Sequence, residues 1–105
     1  MRKPILSSRS DEPEVAKQIE DFVVGLAECV DDLQDAEFKS NLDQLATTAQ
    51  VLGTSASELG FDLLAASASD LERCCLSDSV DQVRETLIDL TEIAKRIRMG
   101  HRGAI

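Results

Sequence analysis

The stretch Leu45-Ala46-Thr47-Thr48-Ala49-Gln50-Val51-Leu52-Gly53-Thr54-Ser55-Ala56-Ser57-Glu58-Leu59-Gly60-Phe61 decides how this chain folds. Leu45, Ala49, Leu52, Ala56 and Leu59 recur at three- and four-residue steps, and Phe38 and Leu42 extend the series backwards. That spacing lays one apolar stripe along a helix. It predicts a helix over 36–59, stopped at Gly60, because glycine enters the left-handed conformation that closes a helix at little steric cost. Beside the stripe runs a second line of residues: Ala46, Gln50, Gly53 and Ser57. All but Gln50 are small, so a partner can come close to this ledge.

Working outwards, the same periodicity recurs on both sides. Val15, Ile19, Phe22, Val23, Leu26, Val30 and Leu33 predict a helix over 13–33. Ser10 or Asp11 is its expected cap, with Pro13 in the first turn and Glu12 and Glu14 at the positive end of the helix dipole. Gly25 within it costs roughly 1 kcal/mol against alanine unless close packing requires it. Gln34-Asp35 reads as the short connection to the central helix. Beyond Gly60, a third helix is expected over 61–75, with Phe61, Leu64, Ala65, Ala68, Leu71 and Cys75 inward. A turn at 77–79 follows, and Ser79 with Gln82 forms a capping-box pattern. A fourth helix is expected to run to 99, with Val80, Val83, Leu87, Leu90, Ala94 and Ile97 inward, and to end at Gly100. Lys95, Arg96 and Arg98 suit its negative end.

Residues 1–12 read as an N-terminal arm that lays Ile5 and Leu6 on the domain, and 100–105 as a flexible tail carrying His101. No segment alternates as a strand does. Four amphipathic helices with short joins predict an all-α, up-down antiparallel four-helix bundle over 13–99. With 105 residues there is room for one core, and with aromatics at 3% that core must be aliphatic, which suits packed helices.

Charge excludes some functions. A net charge of −9 argues against binding nucleic acid or an anionic membrane surface. No apolar run is long enough to span a bilayer and no secretory signal is present, so a cytoplasmic protein is expected. Cys29, Cys74 and Cys75 have no metal-ligand spacing and are expected as reduced thiols. Glu28, Asp31 and Asp32 lack a histidine or a calcium-loop pattern, so no metal and no cofactor is expected. The serines belong to no nucleophile constellation.

The central stretch, Leu59-Gly60-Phe61, Asp70-Leu71-Glu72, Phe22-Val23-Val24-Gly25-Leu26 and the opening Pro4-Ile5-Leu6-Ser7-Ser8 together resemble a histidine-containing phosphotransfer (HPt) domain across nearly the whole chain. That family's pattern is Ala-His-x-Leu-Lys-Gly, followed by a glycine helix break. Aligned without gaps, the family histidine falls on Gln50, its lysine on Gly53 and the next glycine on Thr54. A one-residue slip places Ala49 at the histidine instead, so neither register supplies an imidazole.

The resemblance implies an HPt-like bundle in two-component phosphorelay signalling. Its partner would be a response-regulator receiver domain, or a hybrid sensor kinase carrying one. Docking is expected through Ala46, Gln50, Gly53, Thr54 and Ser57, with no phosphoryl group carried. A monomer is expected rather than a dimer. Two alternatives stand beside this. Gln50 would orient a water that hydrolyses a receiver's aspartyl phosphate, as glutamine does in some GTP hydrolases. Or the bundle is a purely structural helical interaction domain. His101, in a loose tail, lacks the rigid platform that in-line transfer needs.

Overall fold

The computed structural model describes Ser7 and residues 12–77 and 79–103. Four α-helices follow in chain order: α1 Pro13–Phe38, α2 Leu42–Glu58, α3 Asp62–Leu76 and α4 Val80–Gly103. Short turns at 39–41 and 59–61 reverse the chain, and Ser77 and Ser79 lie between α3 and α4. Each helix packs on its chain neighbours, and α4 closes the ring against α1. The result is the expected all-α four-helix bundle, with α1 diagonal to α3 and α2 to α4.

The core is aliphatic, as the composition required. Leu33, Leu45, Leu64, Leu71 and Leu90 are fully buried, as are Ala36, Ala49, Ala56 and Ala68. Each such leucine contributes roughly 1.5–3 kcal/mol through loss of water contact. Phe22 stacks on Phe61 with ring centroids 5.5 Å apart, which ties α1 to the α2–α3 turn. At the same end Ser7 is buried, and its hydroxyl donates to the Leu59 carbonyl. No buried side-chain polar atom among the described residues lacks a partner.

The helix ends correct several expectations. α1 does not stop at Leu33 but continues through Gln34-Asp35 to Phe38, so Ala36 belongs to α1 and not to α2. Ser40 supplies the reversal with φ 56°, a left-handed conformation that a serine adopts at a cost. Asn41 N–H donates to the Ala36 carbonyl at 2.9 Å and Ser40 N–H to the Glu37 carbonyl at 3.0 Å, the paired bonds of a Schellman closure. Gly60, φ 82°, does the same for α2, with Phe61 N–H reaching the Ala56 carbonyl at 2.8 Å. Ser79 N–H reaches the Cys74 carbonyl at 3.4 Å after α3. α2 begins at Leu42, capped by Asn41, whose Oδ1 accepts from Gln44 N–H at 3.2 Å.

Phe38 and Val80, both expected inside, are 85% and 58% exposed. On the extended α1, Phe38 lies two residues past the buried Ala36 and so on the opposite side of the helix, and Val80 is the first residue of α4. α4 does not end at Gly100, which is buried in a helix that runs on to Gly103. His101 therefore lies within α4 and not in a tail beyond it. The N-cap of α1 is Glu12 and not Ser10 or Asp11; Ile5, Leu6 and the His101 side chain lie outside the described residues.

Candidate docking face on helices α2 and α3

α2 turns Leu45, Ala49, Leu52 and Ala56 into the core. A residue next to Ala49 must then point outwards, and Gln50 is exposed. Gly53, one turn on, lies at the seam with α3. A Cβ added there would stand 3.3 Å from the Ala68 Cβ and 3.7 Å from the Ala65 carbonyl oxygen. Glycine at 53 thus lets α2 and α3 approach closely, and their interface is the most extensive in the bundle. The low ridge beside that seam leaves a shallow open groove of about 460 Å³.

Gln50, Gly53, Thr54 and Ser57 line this groove from α2, so four of the five expected docking residues come together. Ala46 does not join them; it is half-buried and packs against the core. α3 supplies Ala65, Ser69 and Glu72, and Glu58 closes one end. Ala65 was expected inward, and nothing in the sequence marked the α3 residues as part of this face, because only the pairing of α2 with α3 sets them beside Gln50. Thr54 Oγ1 donates to the Gln50 carbonyl at 3.1 Å, which orients that threonine along its own helix. The Gln50 carboxamide is held by no hydrogen bond among the described residues. Val51, its neighbour, is 62% exposed and adds apolar surface.

The groove's electrostatics are acidic. Glu58 and Glu72 line it, and no Lys, Arg or His does. It offers a partner close approach and hydrogen-bonding groups, but neither a nucleophilic imidazole nor a cation to balance a phosphoryl group. Among the described residues no group of His, Cys, Asp and Glu could hold a metal ion. None of the described helices is long and apolar enough to cross a membrane. All three thiols are free: Cys75 is buried, and Cys29 and Cys74 are half-buried. Burial pushes the Cys29 thiol up, with Asp32 adding to it, and likewise the Cys75 thiol, with Cys74 and Glu72 adding.

Compared with known families, curated proteins and solved structures, the chain gives no match.

Proposed function

We propose that this chain is a docking module for receiver domains in cytoplasmic two-component signalling, with the form of an HPt domain and without its phosphotransfer chemistry. One observation carries the reading: the residue aligned with the phosphorylatable histidine is solvent-exposed at mid-helix, beside a groove that a missing Cβ keeps low. A carboxamide cannot form the phosphoramidate that an imidazole forms. The module would instead occupy a receiver's docking surface, on a free receiver or on a hybrid kinase, and compete with phosphorylatable partners.

Hydrolysis assisted by Gln50 is the weaker reading. A water-positioning amide must itself be held in place, and no hydrogen bond among the described residues holds this one. The test incubates the protein with labelled phospho-receivers and follows label on both species, alongside receiver affinity. Binding without label on this chain is the expected result. Gln50→Arg should weaken binding at least tenfold, about 1.4 kcal/mol. Unchanged affinity would remove this face from the proposal. Faster loss of label from the receiver, abolished by Gln50→Ala, would favour hydrolysis instead.

A further inference from the structure

Asp81, Arg84, Ile88, Glu92 and Lys95 follow one another along α4 at steps of three, four, four and three residues. On a helix these positions fall within an arc of about 80°. Asp81, Arg84, Ile88 and Lys95 are exposed and Glu92 is half-buried. Ile88, 62% exposed, is an apolar side chain with water where a neighbour would fit. With Arg84 and Glu92 it lines the shallow groove between α4 and α1, beside Gln34 and Glu37.

This face is its own complement. Reversing it about Ile88 exchanges Asp81 with Lys95 and Arg84 with Glu92, so each of these four charges meets its opposite. A twofold contact requires that property, because the same patch is presented by both subunits. We propose that the chain pairs with a second copy of itself through α4, the two helices antiparallel and centred on Ile88. Asp81 of each copy then faces Lys95 of the other, Arg84 faces Glu92, and the two Ile88 side chains meet on the axis.

The order of charges along α4, more than their sum, favours this occupant. The chain as a whole carries −9, which repels a second copy at long range. Salt screens that repulsion beyond about 8 Å at physiological ionic strength, and the facing pairs lie inside that distance. The two acids and two bases that pair across the axis sum to zero, and Glu37 and Asp89 of the same groove lie outside those pairs. Arg84 Nε already reaches Glu37 Oε1 at 3.2 Å; Arg84 is exposed and Glu37 half-buried, and a second carboxylate can share the guanidinium. One helix per copy makes a small interface, so the dimer is weak and exchanges readily. In the ring of helices the α1–α4 side is opposite the α2–α3 groove. Pairing leaves Gln50 free, and the inference is independent of receiver docking.

Sedimentation velocity of the full chain, from micromolar to millimolar concentration, tests it. The mass should rise towards that of a dimer. Lys95→Glu and Asp81→Lys, each alone, set like charges face to face and should weaken association roughly tenfold or more. Mixed in equal amounts, these two variants regain opposite charges at both pairs, and association should return. Ile88→Ser should also give a monomer, with helix content by circular dichroism unchanged. A monomer at every wild-type concentration overturns the proposal. A dimer that Ile88→Ser leaves intact overturns this face. Single variants that dissociate and fail to recover on mixing overturn the antiparallel register.

Discussion

Ser40 and Gly25 stand in each other's conformational roles. Ser40 occupies a left-handed position, φ 56°, where a Cβ crowds the backbone. Gly25 occupies mid-helix, where nothing lies within 4 Å of an added Cβ. Its freedom is therefore a cost without a packing return, which answers the question its sequence position raised. Ser40→Gly should stabilise the chain by about 1 kcal/mol. Gly25→Ala should stabilise it by roughly 0.5–1 kcal/mol. Both should appear in urea unfolding as a higher midpoint at unchanged slope. A lower midpoint for Gly25→Ala would mean that α1 is covered there in solution.

Between elements, the seam of α2 and α3 is set by small residues. Gly53 faces Ala65 and Ala68, and the 3.3 Å approach leaves no room for a branched side chain. Gly53→Leu should cost about 1–3 kcal/mol as the helices part, lowering the thermal midpoint. Because Gly53 also lines the groove beside Gln50, the same substitution should alter docking as well as stability. The turns divide differently. Gly60 announces the end of α2, and its reversal was legible. Ser40 announces nothing, so the end of α1 was misplaced and Phe38 with it. The Asn41-x-x-Gln44 spacing did carry a start signal for α2, realised as the Oδ1 cap and a bond from Asn41 Nδ2 to Gln44 Oε1 at 3.1 Å.

At the scale of the whole molecule, the folded chain holds its buried thiol protons more tightly than the unfolded chain does. The thiols of Cys29 and Cys75 are both raised above their ordinary value of 9.0. Their contribution to stability is complete below that pH and is lost as pH rises above it, because the unfolded thiols ionise first. The chain has no tyrosine, so no phenol shares this range. Urea midpoints should fall between pH 8 and pH 10, in the order-of-magnitude window about 9 where thiols titrate. The Cys29→Ala/Cys75→Ala double variant should flatten that fall. If the slope with pH survives the double substitution, other groups carry it.

The sequence alone determined the class of fold and what the central helix lacks. Repeats at three- and four-residue steps mark one apolar face per helix, and four such faces have a natural solution in a bundle. A glutamine at position 50 excludes phosphoimidazole chemistry there without any coordinates. Only the tertiary structure decided that Ala65, Ser69 and Glu72 stand beside Gln50, that Ala46 does not, and that Phe38 and Val80 face water. Periodicity is a local property and fixes which face of a helix is apolar. Which residues of two helices meet depends on their axial register, and contacts between residues distant in the chain set that register. In the pairing of α2 with α3, Gly53 comes to stand against Ala68.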